Sequence, residues 1–378
     1  MKFWKGIVLL LVLSVLVLVA TGCSQSSKTI KIGVAGSMTG DSAIWGQTAL
    51  KAAQLAVDQV NAQGGVLGRQ IVLVPGDDQA DPQTAANVAQ QFASDPSILG
   101  VIGHEFSSTA LPAAPIYQKA GLPYIIVTAS NPRLADIGNY VFRINADDIV
   151  ASAQTASYTV NSLHAKNIGI IYDNDDYGRA FKDGFAAKAQ SLGAKIVDVE
   201  TYVGGQDRDF SVQLTKLAAA KPDTVLLSGY DTEAAMIVVQ AKQLGFNPQF
   251  VSEDGVATPN FIKLAGSAAN GVICTTYFNR AIPDPNVQAF VKMYESRYNE
   301  PTFSDAPYAY DAMNAMIDAI KRAGKPDRSA IRDALVTTDI PGVTGQITFA
   351  ANGSRQVAWN VVVEVVNGQW VIKDMIRN

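Results

Sequence analysis

The chain has 378 residues, which is enough for two domains of ordinary size. Hydrophobic residues make up 48% of it and charged residues 17%, a composition typical of a globular protein rather than a disordered one. A net charge of −4 argues against a nucleic acid partner, which calls for a basic face. Two cysteines and two histidines nearly exclude a structural zinc site, which usually takes four such ligands.

The N-terminus predicts a secreted protein. Two lysines precede an apolar run at residues 6–19, which is short for a membrane span and typical of a signal-peptide core. Three small residues then precede Cys23, an arrangement that resembles the bacterial lipobox, in which the cysteine is lipidated and becomes the first residue. An ordinary signal peptide that contains a cysteine is the alternative. We expect a lipoprotein signal peptide at 1–22, a tether at 23–28 and an extracytoplasmic chain held to the cell membrane through Cys23.

Short apolar strands then alternate with amphipathic helices. The predicted strands are 29–35, 70–75, 98–102 and 124–127, followed by 168–172, 196–203, 224–228 and 249–252. Strands that are apolar on both faces, with a helix between neighbours, indicate a parallel sheet covered by helices on both sides. We therefore predict an α/β fold of two Rossmann-like lobes with parallel-rich sheets. The tail differs, because Asn367-Gly368 predicts a β-hairpin between its last two strands.

Polar loops follow these strands, and ligands of open α/β sheets bind beyond the carboxyl ends of the strands. The loops of interest are 36–46, 103–109 and 128–132 in the first half, and 173–178, 229–231 and 253–255 in the second. Facing each other, the two sets of loops would line a cleft.

Ser107, Ser108 and Thr109 stand together where the strand at 98–102 gives way to a helix. One of these hydroxyls could simply cap the helix. Alternatively, the hydroxyls and the helix N-terminus form an anion site suited to a carboxylate. The second half offers the acidic pair at 253–254, so a zwitterion could be held between the two halves if each buried charge is paired.

The residues of the loops do not predict an enzyme. The chain has no nucleotide-binding glycine motif after a strand and no nucleophile elbow. His104 could activate Ser107, or it could bond backbone at the strand end. The acidic loop at 173–176 could hold a metal or be solvated, and it lacks EF-hand spacing. We expect no catalysis, no cofactor and no metal.

Several segments in order carry a family resemblance that runs from Lys31 to near the C-terminus. The chain resembles the type I periplasmic binding proteins, above all the leucine/isoleucine/valine-binding proteins of branched-chain amino acid ABC transporters. The matching segments are 36–46, 60–68, 77–82, 101–108, 172–178, 229–230 and 254–257.

The resemblance implies a two-lobed protein that closes on an amino acid. We predict lobe 1 at 29–144 and 279–346 and lobe 2 at 145–278 and 347–378, joined by three hinge crossovers near 143–145, 275–278 and 346–349. Ser107 and Ser130 would hold the α-carboxylate, while the Thr128 backbone and Asp254 would receive the ammonium group. The aromatic wall positions are Trp45, Tyr177 and Tyr230, each of which could instead be a partly buried core ring.

Glu105 and Phe106 depart from the family pattern. Leucine-type members often carry an apolar residue and a cysteine there, and the cysteine forms a disulfide whose partner position is Ala80 in this chain. The disulfide is therefore absent, and Cys274 is expected as a buried thiol. Glu105 either turns to solvent or contacts a polar or cationic group of the ligand, so both residues join the predicted site.

These inferences together predict a lipid-anchored solute-binding protein. It would capture an amino acid, branched-chain or related, between its lobes and deliver it to the permease of an ABC importer. The alternative is an amino acid or amide sensor that signals to a membrane partner, since sensing needs the same closed form.

Overall fold

The computed structural model describes residues 29–355 and 359–377, so Cys23 and the predicted signal peptide lie outside the described residues. The strands are β1 (Thr29–Gly36), β2 (Gln70–Asp77), β3 (Ile98–Gly103), β4 (Tyr124–Ile126), β5 (Val141–Arg143), β6 (Asn167–Asp173), β7 (Lys195–Tyr202), β8 (Thr224–Ser228), β9 (Gln249–Ser252), β10 (Ile273–Thr276), β11 (Asp339–Gly342), β12 (Gly345–Thr348), β13 (Trp359–Val366) and β14 (Gln369–Arg377). The α-helices are α1 (Ala43–Ala62), α2 (Pro82–Ser94), α3 (Ser107–Lys119), α4 (Asp148–Asn161), α5 (Asp176–Ser191), α6 (Ser211–Ala220), α7 (Asp231–Gln243), α8 (Pro259–Ala265), α9 (Pro285–Tyr298), α10 (Asp305–Ala323) and α11 (Arg328–Val336). None of these helices has both the length and the apolar character needed to cross a bilayer.

Two large sheets organise the chain. The first has the order β2-β1-β3-β4-β5, and all of its strands are parallel. The second has the order β14-β13-β10-β9-β8-β6-β7, parallel except where β13 and β14 join as antiparallel strands. This architecture confirms the predicted α/β class with parallel-rich sheets.

Two local sequence signals are confirmed, namely the Asn367-Gly368 turn and the Asp81-Pro82 pair, which predicts an N-cap followed by the first residue of a helix. Asn367 and Gly368 both have positive φ, 51° and 75°, as a two-residue hairpin between β13 and β14 requires. Asp81 caps α2, because its carboxylate accepts a hydrogen bond from the Thr84 amide at 2.7 Å, and Pro82 follows at the first helical position.

Three strands were not predicted, namely β5, β10 and β11. They have three, four and four residues, which is too short to show a periodic pattern. The region 275–278, interpreted from sequence as a crossover, begins inside β10. The strands β11 and β12 form a small separate sheet.

The chain passes between the two large sheets three times. Strands up to Arg143 belong to the first sheet and strands from Asn167 to Thr276 belong to the second. The helices α10 and α11 then pack against α1 and β3 on the first side, and the last two strands return to the second sheet. The carboxyl ends of the parallel strands of both sheets carry the loops that the sequence analysis singled out.

Asp311 on α10 holds one of these crossings in place. Its buried carboxylate accepts hydrogen bonds from the Val343 amide at 2.9 Å, the Thr344 amide at 2.8 Å and the Thr344 hydroxyl at 2.6 Å. Arg355 donates to the same threonine hydroxyl and to the carbonyl of Ile144. The segments at 144 and 344 are therefore tied to one buried polar network.

We expect Asp311→Ala to lower the free energy of unfolding by about 2–4 kcal/mol, because two buried amides and a hydroxyl lose their acceptor. Urea unfolding followed by circular dichroism measures the change. The matched control is Asp183→Ala on the exposed side of α5, which should cost under about 0.5 kcal/mol. Equal destabilisation by the two substitutions would contradict the network.

Candidate ligand-binding site

A cavity lies between the carboxyl ends of the two sheets and contains about 440 Å³ of space not filled by atoms, part of it open to solvent. It is lined by Trp45, Glu105, Phe106, Ser107, Thr128, Ala129, Ser130, Asn145, Asp148, Ala151, Tyr177, Tyr230, Glu253, Asp254, Gly255 and Tyr277. All nine residues that the sequence analysis assigned to ligand binding lie in this lining. The structure therefore brings the predicted residues together, while their binding of a ligand stays a prediction.

The turn after β3 places Ser107 at the cavity. Gly103 has φ of 124°, and a Cβ there would come within 1.9 Å of the Ala35 carbonyl oxygen, so the turn needs glycine. The N-cap of α3 is Phe106, and no side chain caps this helix, so the capping interpretation of Ser107 is wrong. The Ser107 hydroxyl instead accepts a hydrogen bond from the Asn131 amide at 3.2 Å, which joins α3 to the loop after β4.

The first side of the cavity is suited to an anion. Ser107 is the first residue of α3, so the amides of Ser107 and Ser108 have no acceptor within the helix, whereas the Thr109 amide donates to the Phe106 carbonyl at 3.2 Å. The helix dipole favours a negative group at the same point. Ser130 adds a second hydroxyl to the lining. The amides and the two hydroxyls are neutral hydrogen-bond donors. A carboxylate can be bound by such donors where the lining has no basic residue.

The opposite side of the cavity is acidic. Asp254 follows β9, and its carboxylate accepts a hydrogen bond from the Thr276 hydroxyl. Burial raises the pKa of Asp254, and the hydroxyls of Thr276 and Ser304 oppose that rise. Burial and the neighbouring Asp254 raise the pKa of Glu253 well above its usual range. A cation at this side would relieve the cost of keeping these carboxyl groups charged.

Four lining residues outside the predicted loops were missed by the sequence analysis: Asn145, Asp148, Ala151 and Tyr277. The first three follow the unpredicted strand β5, and Tyr277 follows the unpredicted strand β10. Asn145 Nδ2 donates a hydrogen bond to the Thr128 carbonyl, the same oxygen that the family resemblance assigns to the ammonium group. The acidic pair at 147–148 was an available signal, because Asp147 caps α4.

Aromatic rings connect the two sides of the cavity. Tyr230, at the start of α7, has its ring centroid 4.8 Å from that of Phe106 at an interplanar angle of 88°. Its centroid is 6.3 Å from that of Trp45 and 5.2 Å from that of Tyr177. These distances are those of favourable edge-to-face and offset contacts. The rings give the cavity an apolar wall that spans both sheets.

Phe106 and Glu105 are both buried. Phe106 packs with Trp45 and Phe303, and Ala80 packs against this cluster. Glu105 is 4% exposed, so the alternative in which it turns to solvent is wrong. Cys274 is a free buried thiol, as predicted.

His104 does not serve Ser107. Its Nδ1 lies 2.8 Å from an Asp78 carboxylate oxygen and its Nε2 lies 3.1 Å from the Tyr117 hydroxyl. All three side chains are buried outside the lining of the cavity. The interpretation in which the ring bonds backbone is wrong, because both nitrogens meet side chains.

The acidic loop after β6 is less solvated than predicted. Asp173 is buried and accepts a hydrogen bond from the Gly204 amide at 2.9 Å, and Asp175 caps α5 through the Gly178 amide. Both aspartates line a second, outer cavity that adjoins the first. Among residues 29–355 and 359–377, no group of three or more His, Cys, Asp or Glu side chains is arranged to hold a metal ion.

The buried acids predict that the protein is more stable at lower pH. Burial raises the pKa of Asp148 and of Asp173 from 3.8 to about 7. The folded state therefore binds these protons more tightly than the unfolded state does. The contribution of these protons to the free energy of unfolding is complete below about pH 4 and is lost as the pH rises to about 7. It amounts to about 1.4 kcal/mol for each unit by which the pKa differs between the folded and unfolded states.

We expect the ligand-free protein to melt at a higher temperature at pH 5 than at pH 8, as measured by differential scanning calorimetry. Asp148→Asn should reduce the difference between the two pH values. Asp183→Asn, which changes an exposed carboxylate, should leave it unchanged. A melting temperature that rises from pH 5 to pH 8 would contradict the buried-acid assignment.

The sequence of the chain is similar to those of known binding proteins. The chain matches the family model described as periplasmic binding protein over residues 29–369. It is 31% identical over 366 residues to an amino acid binding protein of Pseudomonas aeruginosa, with 96% of each chain covered. It is 29% identical to that organism's leucine-, isoleucine-, valine-, threonine- and alanine-binding protein, covering 87% of this chain and 88% of the relative.

Solved structures agree in fold. The branched-chain amino acid transporter substrate binding protein LivJ of Streptococcus pneumoniae, solved in complex with isoleucine, superposes with a TM-score of 0.86. The two chains are 30% identical, and the match covers 93% of this chain and 99% of that one.

Proposed function

The chain belongs to the periplasmic binding protein family, and we propose from this that it captures an amino acid, branched-chain or related, for delivery to an ABC importer. One observation carries the proposal. The N-terminus of α3 with Ser107 and the carboxylate of Asp254 line the same cavity from opposite sheets. Neutral donors on one side and a negative group on the other suit the carboxylate and the ammonium of a zwitterion.

In this proposal the ligand is held at both ends and along its length. Ser107, Ser130 and the first-turn amides of α3 receive the carboxylate. Asp254 and the Thr128 carbonyl receive the ammonium, since that carbonyl accepts one hydrogen bond from Asn145 and has a second lone pair. The aromatic rings of Trp45, Tyr177 and Tyr230 cover the apolar part.

We also propose that binding closes two lobes by a hinge motion, with the boundaries expected from the sequence. The membership of the strands in two separate sheets supports this division. Contacts across the cleft support a closed form. Asn131 Nδ2 donates to the Asp176 carbonyl at 2.7 Å, and Arg208 lies 3.5 Å from Asp41.

We infer that the protein binds its ligand without converting it, because His104 is engaged by Asp78 and Tyr117 away from the cavity.

We also propose that a lipid on Cys23 anchors the protein to the membrane. Cell fractionation tests the anchor, since a lipidated chain should sediment with membranes and release into the medium would contradict it. Uptake of labelled ligand that requires this chain separates transport from the alternative of a sensor.

Isothermal titration calorimetry with a panel of α-amino acids tests the binding function itself. The full-length chain should bind at least one member of the panel with one-to-one stoichiometry. Mass spectrometry of any co-purified small molecule gives an independent answer. Absence of binding to every α-amino acid would overturn the proposal.

A further inference from the structure

The lining of the inner cavity is strongly acidic. Four of its residues are carboxylic acids, namely Glu105, Asp148, Glu253 and Asp254, and none of its lining residues is lysine, arginine or histidine. A neutral zwitterion brings one positive charge and one negative charge into this space. Buried carboxylates are stable only when they are paired, hydrogen-bonded or protonated, so one ammonium group leaves most of this set without a cation.

Three of the four acids have local compensation. Asp254 accepts from the Thr276 hydroxyl and is assigned to the ammonium group. Asp148 lies in the field of Arg143, which favours its charged form. Glu253 accepts a hydrogen bond from the Gly255 amide at 3.3 Å.

Glu105 differs from these three, because the charged neighbours that raise its pKa, Asp78 and Asp305, are themselves acids. Its two carboxylate oxygens, like the two of Asp148, make no hydrogen bond within the described chain, although the residue is only 4% exposed. Its carboxyl group lies against the backbone at Gly36, where a Cβ would come within 2.2 Å of Oε2. Glycine at position 36 therefore makes room for the Glu105 carboxyl group at the end of β1. An apolar side chain of similar size would occupy this space without the free-energy cost of burying a carboxyl group.

A second unpaired acid lies beside it. Asp305, at the start of α10, is fully buried, and its Oδ2 has no hydrogen-bond partner among the described residues. Its Oδ1 accepts from the Thr128 hydroxyl at 3.1 Å, and that same hydroxyl lies 3.2 Å from the Glu105 carbonyl oxygen. Asp305 also adds to the rise in the pKa of Glu105 that burial causes and that Asp78 reinforces. The two carboxyl groups therefore repel each other when both are charged.

The outer cavity continues this charge towards solvent. Its lining includes the five acids Asp41, Asp173, Asp175, Asp231 and Glu233 and no basic residue. Arg208 lies next to it and pairs with Glu233 at 3.0 Å and with Asp41 at 3.5 Å. An entrance lined by one sign of charge concentrates ligands of the opposite sign and excludes like charges.

We propose that the ligand is an amino acid with a second cationic group, a diamino acid, and that Glu105 receives that group, while Asp305, which is buried and does not line the cavity, adds negative charge to the same region. The inference rests on the proposed function and deepens it by naming the ligand class. A second ammonium would supply the missing cation through charge-assisted hydrogen bonds, which are the strongest available to it.

Pairs of isosteric ligands test this on the unsubstituted full-length protein by isothermal titration calorimetry. In each pair a terminal methyl group replaces the second ammonium, and the pairs are lysine with 2-aminoheptanoate, ornithine with norleucine, and 2,4-diaminobutyrate with norvaline. We expect the cationic member of at least one pair to bind at least tenfold more tightly than its neutral partner. Equal or tighter binding of the neutral member in every pair would overturn the ligand class and leave the proposed function intact. No binding by any α-amino acid would instead overturn the proposed function.

Glu105→Gln tests the residue assignment, because it keeps the shape and removes the charge. The preference for the cationic ligand should fall at least tenfold, while the affinity for its neutral partner stays within about threefold. Glu364→Gln on β13, whose carboxylate pairs with Lys373 at the surface, is the matched control and should keep the preference. An unchanged preference in Glu105→Gln would overturn the assignment. If that variant does not fold, the isosteric pairs on the unsubstituted protein decide the ligand class.

Discussion

Asp254→Asn is expected to raise the Kd for the bound amino acid by about 100-fold to 1,000-fold. The ammonium group would lose its only assigned carboxylate in a cavity between two sheets. Removing one partner of a buried ion pair costs about 3–5 kcal/mol, because the remaining charge stays buried without compensation. Each 1.4 kcal/mol corresponds to about a tenfold change in affinity.

Calorimetric titration of the same ligand into wild type and variant measures this loss. The variant should fold at least as stably as wild type without ligand, because burial raises the pKa of Asp254 and its charge is costly. Thr276→Val, which removes the hydroxyl that donates to Asp254, should weaken binding by a smaller factor. Asp183→Asn on α5 should bind as wild type does. A Kd within threefold of wild type for Asp254→Asn would remove this residue from the site.

The predictable part of the fold is the part with strong local signals. The strand β1, the cap at Asp81 and the hairpin at Asn367-Gly368 each depend on a few neighbouring residues. The strands β5 and β10 depend on the sheet instead, because each is a short segment held between longer neighbours. Their sequences are too short to show the alternation of apolar and polar residues that predicts a strand, so only the three-dimensional structure places them.

The predictability of the site follows the same division. The turn motifs placed Ser107, Tyr230 and Asp254 correctly at the cavity, because each directly follows a predicted strand. Asn145 and Asp148 were missed because they follow β5.

Side-chain states were harder to predict than positions. The burial of Glu105 and the engagement of His104 by Asp78 depend on packing between elements far apart in sequence. A sequence pattern places a residue at a strand end, and only the assembled sheet decides which neighbours that residue meets.

Ser107→Ala should raise the Kd by about tenfold to 100-fold, a smaller loss than that of Asp254→Asn. The hydroxyl is a neutral donor to a charged carboxylate, and such hydrogen bonds contribute about 1.5–3 kcal/mol. The substitution also removes the acceptor of the Asn131 amide, which joins α3 to the loop after β4. The first-turn amides of α3 remain, so some affinity for the carboxylate should persist.

Calorimetry on Ser107→Ala and Ser108→Ala separates binding from a general effect on the helix. Ser108 is the next residue of α3, is half-buried and does not line the inner cavity, so its variant should bind as wild type does. A ligand analogue without the carboxylate sharpens the comparison. Ser107→Ala should not weaken the binding of a primary amine with the same side chain, whereas Asp254→Asn should still weaken it. The two substitutions would then act on opposite ends of one ligand, and a shared response to both analogues would contradict that geometry.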